Sequence, residues 1–387
     1  MKILLVGEYS GVHTNLAKEL KGLDHQVYVI SDGDGYKKIG EPDLFITYAP
    51  LRSKVKFFSF ILGFYYTLME FLGLKGFLHA VKYIKKIKKL KNYDVVQLIN
   101  TRPFSNFSSL GNLVLLHFIF KQNRKIFLCA LGDDYTWVKY CLEGNPPYSK
   151  FDRLKLKNMS KFFWSLVYVY GIGFNFLDKY VLGRSQKIIP GLFDYYIAYK
   201  NSSYSNKLSD VVPLPADFKK KYNSFEFKGY PVKIFHGWQP GKELAKGNDI
   251  FDKAIKKLII KYPDKVEYEI VGGIPYEEYL TKFEESTIYI DQCYSLDRGM
   301  NAILGMSAGK VVFSGFDKET IKYYGVNDSN QSLINALPDC EKIFLELERL
   351  IINPNILENI SREAIFFIKR HHNGRLITEK YLDVWGN

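Results

Sequence analysis

The chain has 387 residues, 47% of them hydrophobic and 16% aromatic, with a formal net charge of +13. That length corresponds to two or three domains of roughly 150 residues each, and the apolar content excludes a disordered, collagenous or disulfide-scaffold protein. The charge favours an anionic partner such as phosphate, nucleic acid or a membrane surface.

The opening apolar run ends at Gly7. It is too short for a signal-peptide core of about 7–15 residues, which points to a chain that begins inside the cell. Residues 2–7 (KILLVG) form an expected strand, followed by a helix over about 15–21 with Leu16 and Leu20 on one face, and a strand at 26–31. This βαβ start is the signature of a parallel doubly wound sheet. Further buried strands are expected at 94–100, 125–131 and 186–191.

The pattern restarts after Pro213-Leu-Pro215. The run 232–237 (VKIFHG) echoes KILLVG, a helix follows over about 247–261, and a strand at 266–271 ends in Gly272-Gly273. A strand at 287–291, a helix at 299–308 and a strand at 310–315 come next. The chain therefore reads as α/β, with two Rossmann-like units: 1–212, a linker at 213–230, and 231–365. The end of the chain is helical with a break at Asn373-Gly374, which sets off 366–387.

Two segments interrupt this rhythm. Residues 57–69 and 162–177 carry no charge, yet each is shorter than the roughly 20 apolar residues that span a bilayer. They are either buried helices or a surface that dips into lipid or grips a lipid-linked substrate. Between them, 81–91 (VKYIKKIKKLK) sets Val81, Ile84, Ile87 and Leu90 at every third position among six lysines. That pattern fits a solvated helix face or attachment to anionic headgroups. Cys129, Cys141, Cys293 and Cys340 lie far apart and point to neither zinc nor a disulfide framework.

Four motifs carry a resemblance: GEYSGVHTNL (7–16), HGWQPGKELAKGNDIF (236–251), EYLTKFEESTIYIDQ (278–292) and GMNAILGMSAGKVV (299–312). They resemble the GT-B glycosyltransferases, in particular the large retaining family, glycosyltransferase family 4-like, that builds bacterial surface polysaccharides. The resemblance implies two Rossmann-like domains facing a cleft, an acceptor-binding first domain, a nucleotide-sugar-binding second domain and a final helix crossing back to the first. It implies a retaining, metal-independent transfer with no cofactor, the nucleotide sugar being substrate. Its expected partners are that donor, a lipid-linked or oligosaccharide acceptor and the inner face of the plasma membrane, giving a cytoplasmic, peripheral protein. The sequence departs from the family at its Glu-x7-Glu pair, where Leu296 and Leu304 stand.

A diphosphate leaving group gathers negative charge as the glycosidic bond breaks, and fixed cations and backbone N–H groups stabilise it. The candidates for donor binding are Lys242 and Lys246 in the loop after 232–237, and Gly299, Met300 and Asn301 at a helix start. Arg298 adds a further cation, and Gly11, His236, Gly273 and Asp291 complete the donor set. His13 is a candidate proton shuttle. Asp133 and Asp134 are candidates for binding an acceptor hydroxyl, though capping is the ordinary role of an Asp at a helix start.

Asp32-Gly-Asp34 reads as a turn rather than a metal motif. The first strand is not followed by G-x-G-x-x-G, which argues against a dinucleotide dehydrogenase. The alternatives are a GT-B nucleotide-sugar epimerase and a catalytically inactive membrane- or glycan-binding protein, the latter favoured by the missing acids. A nucleic-acid partner is not expected, because no recognised motif accompanies the charge.

Overall fold

The computed structural model describes residues 1–386 except 35–38, 52, 217–221, 240, 275 and 327–330. Eleven strands occur among the described residues, and they form two wholly parallel sheets. The first contains β1 (Lys2–Val6), β2 (Gln26–Ser31), β3 (Leu44–Phe45), β4 (Val95–Leu98), β5 (Ile126–Ala130) and β6 (Lys187–Pro190), in the order β3-β2-β1-β4-β5-β6. The second contains β7 (Val232–Gly237), β8 (Val266–Val271), β9 (Ile288–Ile290), β10 (Val311–Ser314) and β11 (Ile334–Asn335), in the order β11-β10-β9-β7-β8.

The apolar runs explain the sheets. In β1, Ile3, Leu4, Leu5 and Val6 are all fully buried, which only a strand covered by helices on both faces achieves. Val6 pairs with Ile30 on one side and Leu98 on the other, so β1 lies where the strand order reverses. In the second sheet β7 has the same place between β8 and β9. The short echo between KILLVG and VKIFHG therefore marks equivalent central strands. The two-residue edge strands β3 and β11 were not expected from the sequence, because neither is long enough to show a period.

The end of the chain folds as helices Pro354–His371 and Gly374–Gly386. The latter packs on helix Val12–Gly22 of the first domain. There Trp385 Nε1 donates to Gln97 Oε1 at 3.0 Å, and Tyr381 OH lies 3.4 Å from Cys129 Sγ.

The segment 57–69 is not a buried helix: Glu70 is the one buried residue of helix Lys56–Phe71. The segment 162–177 divides at Gly171–Gly173 into helices Phe163–Tyr170 and Phe174–Arg184. Leu166, Val167 and Leu177 face inward, and Trp164, Tyr170 and Phe176 stay exposed. In helix Phe77–Ile87 the buried residues are Ala80 and Ile87, while Val81 is exposed. A three-residue spacing drifts round a helix of 3.6 residues per turn, so Val81 leaves the inner face. No described helix is long and apolar enough to cross a membrane.

Candidate active site

The carboxyl edges of the two sheets face each other, which is where ligands of open parallel sheets bind. A hydrophobic cluster joins them, taking Val12, Leu131 and Leu192 from the first domain and Ala302, Met306 and Phe316 from the second. Tyr9 and Met300 pack partly buried against it. Polar links also cross between the domains, among them Tyr323 OH, which donates to Val211 O at 3.2 Å. Arg153 donates to both carboxylate oxygens of Asp249, at 3.2 and 2.8 Å. Asp194 accepts from Leu296 N (2.9 Å), Asp297 N (2.8 Å) and Ser295 Oγ (3.1 Å), and Phe193 N donates back to Asp297 Oδ2 at 3.0 Å.

The loop after β7 runs through Lys242 to the short helix Glu243–Lys246 and then to helix Asn248–Lys261. Its Lys-Gly ending has a steric cause. Gly247 has φ +76°, and a Cβ there would overlap Cys293 Sγ. The loop is thereby pressed on the segment after β9, where Cys293 N donates to Lys246 O at 3.1 Å. Leu244 and Ala245 pack against Trp137, Cys141 and Phe151 of the first domain.

Lys246 and Asp291 are brought together, but as an ion pair of 2.9 Å. The other Asp291 oxygen accepts from Ser314 Oγ of β10, also at 2.9 Å. Lys242 is exposed, and its charge reaches Asp133 across the domain boundary. Asp133 itself is held by Lys150 Nζ at 2.6 Å and Ser165 Oγ at 2.5 Å. Burial alone would raise its pKa; the Lys150 charge and hydrogen bond outweigh that, helped by Ser165 and Lys242, and keep it below the usual carboxylate value.

Helix Met300–Ser307 starts after Gly299 with no side-chain cap. A Cβ at Gly299 would meet only Gln292 Nε2, at 3.9 Å, and Asn301 is exposed. The helix start is thus open, with backbone N–H groups and a positive dipole end available to an anion. Gly273, φ +70° with open space around it, lies just past β8.

Several sequence candidates are corrected here. Arg298 is no cation for a ligand: it is fully buried, 3.1 Å from Asp297, with its guanidinium 4.4 Å from the ring centres of Tyr324 and Phe367. The Gly11 amide is not free for phosphate, because Glu8 Oε1 accepts it at 2.9 Å while Glu8 Oε2 takes Thr14 N and Oγ1. His13 is fully buried against Gly7 O at 2.8 Å; burial, opposed only by that bond, lowers its pKa to about 4. It stays neutral and away from solvent, so it is no shuttle. Asp134 is a buried helix cap, accepting from Trp137 N and Tyr199 OH at 2.7 Å each, and burial pushes it up to about 6. His236 is buried beneath the loop, 2.8 Å from Tyr268 OH, with its pKa lowered to about 3, chiefly by burial.

Neither Asp291 nor Asp297 is placed to take over the missing acids. Asp291 is committed to Lys246 and Ser314, and Asp297 to Phe193 and Arg298. Leu296 is 2% exposed and Leu304 is 48% exposed. Among the described residues, no three His, Cys, Asp or Glu side chains gather to hold a metal. Sequence reasoning missed Glu8, Lys150 and Asp194; only Asp194 left a signal, an acid in the first turn of a helix.

No protein-family profile matches the chain, and no curated protein matches it in sequence. Solved structures do match over its whole length. Sucrose-phosphate synthase from Thermosynechococcus elongatus superposes with a TM-score of 0.62 at 11% identity, covering 100% of this chain and 98% of its own. HepE of Anabaena, determined in complex with UDP and glucose, gives 0.61 at 11% identity with 100% of both chains covered. The lipopolysaccharide outer core galactosyltransferase WaaB gives 0.52 at 13% identity, covering 99% of each. With two parallel α/β units, facing carboxyl edges and a final helix returning to the first domain, the chain has the GT-B fold.

Proposed function

We propose that the chain is a glycosyltransferase that moves a sugar from a nucleotide donor to a lipid-linked or oligosaccharide acceptor. The transfer is retaining and metal-independent, serves bacterial surface-polysaccharide synthesis and takes place at the inner face of the plasma membrane. One observation carries the reading: the uncapped helix start at Gly299–Asn301 and the Lys242–Lys246 loop follow the neighbouring strands β9 and β7 at the carboxyl edge of the second sheet of a GT-B fold. UDP held by HepE, a structural neighbour, supports a nucleotide donor.

In this scheme the helix amides and dipole receive the diphosphate, and Lys242 adds a charge. Lys246 exchanges Asp291 for a phosphate oxygen, and Ser314 continues to hold Asp291. Lys150 keeps Asp133 ionised at the edge of the first domain, where it accepts a hydrogen bond from an acceptor hydroxyl. The first domain contributes no phosphate contact at Gly11, since Glu8 already fills that helix start.

The test is nucleotide release from a panel of UDP-, GDP- and dTDP-sugars with a polyprenyl-diphosphate glycan acceptor. Release that requires acceptor supports transfer. Silence with every donor, together with no thermal shift by any nucleoside diphosphate, refutes it and favours the inactive binding protein that the committed acids Asp291 and Asp297 also fit. A product formed without acceptor would instead mark an epimerase.

A further inference from the structure

We propose that helix Lys56–Phe71, together with the exposed edge of helices Phe163–Tyr170 and Phe174–Arg184, is a docking surface that inserts into an anionic membrane leaflet. This deepens the membrane placement proposed above by naming the surface, the lipid charge and the fixed angle of attachment.

A water-facing helix normally places its apolar side on a core. Helix Lys56–Phe71 does the reverse: Phe60 is 75% exposed, Phe57 68% and Phe64 66%. The patch continues past the helix, because Ile172 N donates to Phe71 O at 2.7 Å and Trp164 lies beneath Lys75 Nζ, 5.0 Å from its ring centre. Trp164 is itself 55% exposed. Contiguous apolar surface of this kind marks a partner.

Charge selects the partner. From residue 54 to 91 the sequence has nine lysines and one acid, Glu70. Glu70 is fully buried between Arg102 Nη2 at 2.7 Å and Lys75 Nζ at 2.9 Å. The outer surface of this segment therefore presents ammonium groups around aromatic rings. Anionic headgroups above an apolar layer complement both at once. A second copy of this chain would set the same lysines against each other.

The buried acid also sets the geometry. Arg102 follows β4 at the carboxyl edge of the first sheet. Its Nε donates to Phe107 O, its carbonyl accepts from Tyr9 OH, and its guanidinium lies over Tyr168 and Phe174. Glu70 thus fastens the end of the apolar helix to the floor of the cleft, so the cleft keeps a constant height above the leaflet.

The test is flotation of the full chain, without donor or acceptor, on phosphatidylcholine vesicles with and without about 40 mol% phosphatidylglycerol. Quenching of Trp164 by brominated acyl chains is read in parallel. The chain is expected to float on anionic vesicles, with Trp164 quenched and binding weakened by salt. Changing the exposed Phe57, Phe60 and Phe64 to Ser is expected to cut binding by about tenfold or more while the far-UV spectrum and melting stay unchanged. Changing Lys82, Lys85, Lys86, Lys88 and Lys89 to Gln is expected to remove the preference for anionic lipid. No flotation at low salt overturns the proposal, as does equal flotation of the Phe variant. So does a dimer in light scattering that the Phe variant dissolves, which would give the face to a second copy. Nucleotide release in a separate vesicle-free assay distinguishes failure of docking from failure of the sugar-transfer reading.

Discussion

Replacing Asp194 by Asn tests the link between the domains through its pH dependence. Asp194 is buried, accepts three hydrogen bonds from 295–297 and faces Asp297, whose other contacts are Phe193 N and Arg298. Burial, with Asp297 adding repulsion, pushes its pKa up to about 7 from an ordinary 3.8, against the opposing hydrogen bonds. The folded state thus holds this proton more tightly than the unfolded chain. The stability it confers is complete below pH 3.8, falls as pH rises through the interval, and is exhausted above 7. Between pH 5 and pH 8 the loss on this account is about 3 kcal/mol. Other buried acids titrate too, among them Asp134, Asp178 and Glu8. The quantity to measure is therefore the difference between wild type and D194N in urea unfolding at pH 5, 6, 7 and 8. The wild type should lose about 3 kcal/mol relative to the variant over that range. Parallel profiles would refute the assignment of a proton to this domain link.

The ion pair beneath the proposed donor site separates stability from transfer. Lys246→Gln leaves Asp291 buried without its cation and should cost about 3 kcal/mol in urea unfolding, with transfer falling about a hundredfold in a nucleotide-release assay. Asp291→Asn should cost similar stability yet keep transfer within about tenfold. Gly247→Ala forces a side chain into a left-handed backbone and onto Cys293, and should lower stability by about 1–3 kcal/mol by the same unfolding assay. Arg153→Ala removes a half-exposed pair with Asp249 and should change unfolding by no more than about 1 kcal/mol.

The central strands were legible because parallel sheets buried on both faces demand continuous apolar runs, as in KILLVG and VKIFHG. The strands at 26–31, 266–271 and 232–237 match their expected bounds. What local sequence does not contain is the identity of a charge's partner. Lys246 and Asp291 were both expected to meet a ligand, yet 45 positions apart they meet each other. Arg298 looked like a surface cation beside a glycine, but Phe316, Tyr324 and Phe367 come from elements that only the tertiary fold brings around it. Gly11 is misleading for a related reason. Its backbone has the open left-handed form of a phosphate loop, but Glu8, three positions earlier, supplies its own carboxylate. The exposed helix at 57–71 also eludes pattern reading, since an apolar run has no built-in sign of which side the core lies on.

The two missing acids differ in what their restoration would require, and that difference tests the donor reading most directly. The resemblance places a ribose-holding acid at 304 and a second acid, near the donor sugar, at 296. Leu304 is exposed on helix Met300–Ser307, so Leu304→Glu adds a solvated carboxylate and should alter stability by less than about 0.5 kcal/mol. If a nucleoside diphosphate lies with its phosphates at Gly299–Asn301, the new carboxylate can accept from ribose hydroxyls. A hydrogen bond to a charged group contributes about 1.5–3 kcal/mol, which corresponds to UDP affinity rising by about tenfold or more in calorimetry. Leu296 is buried with its amide held by Asp194 in the domain link. A Glu there would bury an unpaired charge beside two existing carboxylates and should cost several kcal/mol in unfolding. UDP affinity unchanged by Leu304→Glu, with the fold intact, would place the nucleotide elsewhere. A Leu296→Glu variant as stable as wild type would mean that segment 295–297 is not clamped between the domains.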